Sequence, residues 1–433
     1  MEAADLLAWF RTGCVLLAAG LALIFGSGVD ASSVSPGLGH AAARVPAAGL
    51  VRGTTAGGVP AGQTVAALGS AVLQAATAQV STEAAADTAV DHMTAAQLAG
   101  QRVIYSYPGL RPPASLLTVV RQGRAAGVIF FAANYRSPAQ FRAVIRQLMA
   151  ANASLANPAR AYPLLLMTDQ EGGEVDRVPG APAESEKQIG AVRPLPTART
   201  AASQAGSAAA ANLASHGLNV DLAPVLDVYR AANDFDDQYD RSYNSSPAVV
   251  SALGASFIAA LQAGHVAATA KHFPGLGAAA AQQNTDDGPV TIGASAADLA
   301  SIDESPYSAA IAAGVRLVML SWAVYPSLGS DRPAGLSAPI VQGLLRGRLG
   351  FQGVTITDAI EAGALRQYGP VPRRAALAAA AGMDLILASA QDSAEGAQAA
   401  AGLQSAAAAG ALTEASIDTA VQRVLSLRAR LRR

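Results

Sequence analysis

Ala268-Thr269-Ala270-Lys271-His272-Phe273-Pro274-Gly275 is the stretch on which the reading of this chain turns. A short apolar run ends abruptly in a cation, an imidazole, an aromatic ring and a Pro-Gly turn. That is the pattern of a buried strand carrying polar groups to its C-terminal tip. An isolated Lys-His pair is more often a solvated strand end, but here the pattern recurs. Short apolar, β-branched-rich runs fall at 102–107, 127–131, 164–168, 220–224, 267–270, 317–321, 354–357 and 384–388. Between them, stretches such as 139–151, 200–216, 249–262, 307–313 and 339–345 have helical spacing. Strand-like runs alternating with helices in this number predict an α/β fold, a (β/α)8 TIM barrel. An open doubly wound sheet is the alternative, and its dinucleotide-binding version is disfavoured because no glycine fingerprint follows the first strand. Two further helices are predicted at 394–409 and 412–431. Thr413 would cap the second, and Arg428 and Arg430 stand at its far end, where cations suit the helix dipole.

Composition narrows the function classes. The 433 residues are 51% hydrophobic with a net charge of −1 and no Lys/Arg-rich run, which argues against a nucleic-acid partner. Ala and Gly are abundant and aromatics scarce, so helices are expected to pack closely through small side chains. The single cysteine, Cys14, excludes an intramolecular disulfide framework and a cysteine-based zinc site. Cys14 opens an apolar run reaching residue 26, preceded by Arg11 and followed by small polar residues, as in a secretory signal or short anchor. Residues 1–28 are therefore read as a signal peptide or N-terminal membrane anchor, and the protein as secreted or cell-envelope associated. A membrane tether through this segment stays open, whereas lipidation is disfavoured because the cysteine precedes the apolar run. Residues 29–90 are Ala/Gly-rich with few charges and read as a linker, with a candidate helix at 65–79. Residues 91–433 form the barrel and its terminal helices.

In such a barrel, functional side chains come from the C-terminal ends of several strands. Those ends carry Asp169-Gln170-Glu171-Gly172-Gly173, Asp227, Lys271-His272, Ser321-Trp322 and Asp358. Carboxylates accept hydroxyl hydrogen bonds and cations donate them, so this polar cup suits a polyhydroxylated ligand. Asp227 is equally readable as a loop cap, and Glu171 as a partner for Arg177. Asp358 directly follows Val354-Thr355-Ile356-Thr357. A carboxylate there is costly to bury without partners, which favours a functional role.

Taken in order, these pieces resemble the single-barrel, β-N-acetylhexosaminidase-like branch of family 3 glycoside hydrolases. The resemblance rests on Asp169-Gln170-Glu171-Gly172-Gly173 with Arg177, Asp221-Leu222-Ala223-Pro224-Val225-Leu226-Asp227 and Asp240-Arg241-Ser242-Tyr243. Lys271-His272-Phe273-Pro274-Gly275 and Gly350-Phe351-Gln352-Gly353-Val354-Thr355-Ile356-Thr357-Asp358 complete it. It covers residue 93 to the C-terminus. It implies a retaining glycosidase that releases a terminal β-linked sugar, N-acetylglucosamine from cell-wall glycan, without metal or organic cofactor; separately from the resemblance, a monomer is expected. Asp358 matches the nucleophile. Asp169, Arg177, Arg241, Lys271 and His272 match positions that hold the sugar. Lys271 or Arg241 would then be expected to keep the Asp358 pKa low.

The sequence departs from that branch after Gly275. The family's loop histidine, the acid/base, is missing from Leu276-Gly277-Ala278-Ala279-Ala280-Ala281-Gln282-Gln283-Asn284-Thr285-Asp286-Asp287-Gly288-Pro289. Asp286, preferred over Asp287, is the candidate replacement. Glu361, Glu171 or a partner chain are alternatives, and a catalytically inactive glycan-binding barrel is the rival from another class. A second departure is Glu174, where the branch often has arginine; it reads equally well as half of a solvent-facing salt bridge. A weaker rival is an aldolase with Lys271 as Schiff base, which would require a lowered lysine pKa.

Overall fold

The computed structural model describes residue 86 and residues 88–431. The signal or anchor reading of 1–28 and the candidate helix at 65–79 lie outside the described residues. Eight parallel strands close into a barrel: β1 (Val103–Tyr105), β2 (Gly127–Ile129), β3 (Leu165–Thr168), β6 (Val220–Asp221), β7 (Ala267–Phe273), β8 (Leu317–Leu320), β9 (Val354–Ala359) and β10 (Leu385–Leu387). Closure is made where Val103 and Ile104 of β1 pair with Ile386 and Leu387 of β10. Each predicted run overlaps one of these strands. The agreement has a physical basis, because parallel strands buried on both faces read as continuous apolar runs.

Two strands extend beyond their expected ends. Lys271, His272 and Phe273 belong to β7, and Asp358 belongs to β9, rather than following them. In β7 the register against β8 shifts between Ala270 and Phe273, so the ladder resumes after the polar pair. One element escaped the sequence reading: β4 (Gln170–Gly172) and β5 (Val175–Asp176) form a two-stranded antiparallel hairpin over the end of β3. Its polar, glycine-rich sequence carries no apolar alternation by which a strand would be recognised.

The barrel interior is filled by residues such as Ile104, Leu165, Met167, Val220, Leu317, Met319 and Ile356. Val424, Leu427 and Leu431 join this cluster, so the C-terminal helix Glu414–Arg430 closes the end of the barrel opposite the strand tips. Thr413 caps that helix by accepting from the Ser416 amide. Arg428, however, is fully buried rather than solvent-facing. It donates to the carbonyls of Pro163 (2.7 Å) and Tyr162 (2.8 Å) and to the Gln101 side chain. A guanidinium tolerates this burial because carbonyl acceptors replace its water.

Outside the strands, a second apolar layer packs the helices onto the barrel. Small residues set their spacing, as the composition implied. Gly206, in helix Leu195–His216, lies against helix Pro247–Ala263 so closely that a Cβ would meet the Phe257 carbonyl at 2.5 Å. Among the described residues, no helix is long and apolar enough to cross a membrane.

Candidate active site

The C-terminal strand ends open into a cavity of about 640 Å³, lined from separate elements by Asp169, Lys271, His272, Asp286, Asp358 and Glu361, among others. Arg177, Arg241, Glu171 and Glu174 also line it. Ser321 and Trp322 do not: the buried Trp322 indole donates to the Ala359 carbonyl at 2.8 Å, bracing the end of β9 from behind. A second cleft, of about 730 Å³, lies at the other end of the barrel around Arg316, Arg423 and Arg430 and shares no residue with the first.

The base of the site is a buried charge cluster centred on Glu171. Its carboxylate accepts from Arg241 Nε (2.8 Å) and Arg241 Nη2 (2.9 Å), and lies 2.7 Å from Lys271 Nζ. Lys271 also donates to Asp169 at 2.8 Å, and Arg241 to Asp236 at 3.1 Å. The expected Glu171–Arg177 pair is therefore not formed. Glu171 faces inward from the hairpin, and the two cations reach it from β7 and the Asp240–Tyr243 segment. Burial alone would push Glu171 up, but Arg241 and Lys271 outweigh it and hold its pKa well below the carboxylate range. Burial likewise works against the Lys271 ammonium, yet Asp169 and Glu171 raise its pKa above the ordinary value. A lysine so held is the opposite of a Schiff-base nucleophile, and the aldolase reading falls.

Asp227, readable from sequence as a loop cap, is fully buried and orients His272. It accepts from the backbone amides of His272 (3.2 Å) and Leu276 (2.6 Å), while its Oδ2 lies 2.7 Å from His272 Nδ1. Burial lowers the His272 pKa, which favours neutral imidazole with Nδ1–H given to Asp227 and Nε2 left as an acceptor. Asp236, which the sequence did not single out, joins this group. Burial and Asp227 push it up to about 7, and burial pushes Asp227 up to about 6. Asp227, Asp236 and His272 have ligand atoms within 4.8 Å of one another, the sole grouping of that kind among the described residues. The Asp227 oxygens are already engaged by two amides and the imidazole, so a hydrogen-bonded set describes it better than a metal site.

Asp358 is half-buried, with its Oδ1 accepting from the Ala359 amide at 2.8 Å. Its pKa is raised, not lowered as expected: burial comes first, and the Asp286 carboxyl adds to it. The expected cations act weakly here because they are committed to Glu171, Asp169 and Asp236. Asp286 lines the cavity with its side chain in no hydrogen bond or ion pair among the described residues. Asp287 instead accepts from Asn284 Nδ2 at 3.0 Å and does not line the cavity. Partial burial, then Glu361, raise the Asp286 pKa. Glu361 accepts from Ser389 Oγ at 2.8 Å, and its own pKa is raised by burial. Arg177 also lines the cavity; its Nε is buried without a protein partner and is a donor left for a ligand.

Residues 89–427 match the glycosyl hydrolase family 3 N terminal domain. The chain belongs to this family. Over 325 residues it is 45% identical to an Arthroderma benhamiae protein described as an uncharacterized secreted glycosyl hydrolase, covering 74% of this chain and 88% of that one. A family 3 β-N-acetylglucosaminidase structure from Paenibacillus superposes with a TM-score of 0.73 at 31% identity, covering 78% of this chain. This chain spans 63% of that longer one. A β-N-acetylhexosaminidase structure from Beutenbergia cavernae gives a TM-score of 0.67 at 32% identity, covering 78% of this chain and 98% of the other. Family membership places the chain among glycoside hydrolases, and the closed barrel is the fold it shares with these structures.

Proposed function

We propose that this family 3 chain is an exported retaining glycosidase that removes terminal β-linked N-acetylglucosamine from glycan, with Asp358 as nucleophile and Asp286 as acid/base. The observation that carries the reading is a single one. Asp358, from a barrel strand, and Asp286, from the long loop after β7, enter one cavity whose base is a fixed set of donors and acceptors. Lys271, Arg241 and Asp169 are locked by mutual ion pairs, and His272 by Asp227, so they meet the sugar without reorganisation. Arg177 adds a donor.

In the first step the Asp358 carboxylate attacks the anomeric carbon while Asp286 gives its proton to the departing oxygen. In the second, Asp286 takes a proton from water, whose oxygen displaces Asp358, and two inversions give net retention. The electrostatics fit this division. Burial first, and then the Glu361 carboxyl, raise the Asp286 pKa, which is the direction an acid catalyst requires. Export rests on the apolar run from residue 14 to 26 and on the description of the Arthroderma relative as secreted. The rival reading as a non-cleaving glycan binder finds no support, since the compared relatives are described as glycosidases.

The test is turnover of an aryl β-N-acetylglucosaminide by the wild type and by Asp358→Asn. The wild type is expected to turn over, and the variant to lose at least about a thousandfold in kcat, since it keeps the pocket but lacks a charged nucleophile. Full activity in Asp358→Asn would remove the nucleophile assignment.

A further inference from the structure

The mouth of the cavity has a character distinct from its base. Glu174 occupies the turn between β4 and β5, is exposed, and lines the cavity. Gly172 (φ +93°) and Gly173 (φ +60°) make that turn, and each is pressed against the segment behind it. A Cβ on Gly172 would meet the Glu184 carbonyl at 2.3 Å, and one on Gly173 the Ser185 Cβ at 2.6 Å. The hairpin tip is thus seated, and Glu174 is held over the opening. The salt bridge readable from sequence is absent: no ion pair among the described residues includes Glu174 or Asp286. The cations nearby are committed elsewhere. Lys271 and Arg241 serve the base of the site, and Lys187 lies 3.1 Å from Asp237 and 3.4 Å from Asp240. Among the described residues that leaves Arg177 as the lining cation in no ion pair, in a cavity also lined by Glu174, Asp286, Asp358 and Glu361. On the same rim Tyr239 is 43% exposed, its ring edge-on to Phe235 at 5.8 Å.

The sugar that is cleaved off occupies the buried base, so the leaving group lies at this mouth. We infer that the leaving-group subsite, built from Glu174 and Tyr239, selects a cationic amino sugar: a glucosamine unit with a free ammonium, as in partly de-N-acetylated glycan. This rests on the glycosidase reading above and names its substrate class. Tyr239 offers a face both to the C–H side of a pyranose and to a cation. Glu174 offers a charge that enters no ion pair among the described residues. An aglycone carrying a carboxylate, such as the lactyl ether of a muramyl unit, meets the same field with the wrong sign.

The experiment uses the full chain and disaccharides that share a non-reducing β-linked N-acetylglucosamine but end in glucosamine, N-acetylglucosamine or N-acetylmuramic acid. An aryl β-N-acetylglucosaminide serves as the reference substrate. At pH 7, where glucosamine is partly protonated, and at low salt, kcat/KM is expected to fall in that order. About tenfold is expected between the first and the last, narrowing at high ionic strength as the exposed charge is screened. Glu174→Gln should remove most of the ranking, chiefly through KM, and Glu174→Arg should invert it. Turnover of the aryl substrate by each variant reports that it is folded. Equal kcat/KM on all three disaccharides, or a ranking untouched in Glu174→Gln, overturns the inference while the glycosidase reading stands. Silence on every substrate, the aryl glycoside included, overturns the glycosidase reading and this inference with it.

Discussion

Replacing Glu171 by glutamine tests the charge cluster on which the site is built. The exchange conserves shape but deletes the one charge that faces both Arg241 and Lys271. It also turns one acceptor into an amide donor, aimed at either Arg241 or Lys271. Removing one partner of a buried ion pair costs about 3–5 kcal/mol, because the other charge stays buried without compensation. Here Lys271 keeps Asp169 and Arg241 keeps Asp236, so the low end applies, about 3 kcal/mol. With an unfolding entropy of ~2.1 cal/mol/K per residue over roughly 340 residues, this lowers Tm by about 4 °C. The sign of the pH dependence follows from the depressed Glu171 pKa. A carboxylate stabilised in the folded state contributes fully above its unfolded pKa and loses that contribution as pH falls toward its folded value. The deficit of the variant should therefore hold from pH 7 to about 5 and, at 1.36 kcal/mol per pH unit below about 4.3, shrink by roughly 1 kcal/mol at pH 3.5. Differential scanning calorimetry of both proteins at these pH values is the assay. A Tm difference under about 1 °C at pH 7, or one that grows on acidification, would refute the reasoning.

For Asp286→Ala, glycosylation with a sugar leaving group should slow by roughly 10²–10⁴, with a much smaller loss on an activated aryl glycoside that needs little protonation. The alkaline limb of the kcat/KM profile should flatten in the same variant, because that limb reports deprotonation of the acid; equal losses on both substrates would assign the proton transfer elsewhere. For Gly190→Ala, the new Cβ would meet the Tyr243 carbonyl oxygen at 1.6 Å, so the Asp240–Tyr243 segment must move and carry Arg241 with it. A raised KM for the aryl glycoside with the barrel still folded by circular dichroism is expected, and an unchanged KM would show that Arg241 is positioned independently of this contact.

The apolar runs, the helical spacings and the Thr413 cap could be read directly, because strand and helix periodicity are local consequences of which face is buried. The polar tips of β3, β7 and β9 were legible for the same reason: a charged residue ending an apolar run must meet a partner or a ligand. Partnerships were not legible, since they join residues distant in the chain. Glu171 finds Arg241 and Lys271, 70 and 100 positions away, rather than the nearby Arg177. Asp286 and Asp287 are adjacent in the chain, and only the course of the loop turns one into the cavity and the other to Asn284. Arg428 has the sequence of a solvated helix end, yet carbonyls of the Tyr162–Pro163 segment close over it. The direction of the Asp358 shift follows from the same cause, because burial and competition among carboxylates for the available cations exist only once the barrel has closed. Sequence by itself determined the barrel and the residue types that reach its rim, through short-range periodicity. Tertiary structure decided which charges neutralise one another and which remain for the substrate, because electrostatic pairing depends on distance in space and on exclusion of water.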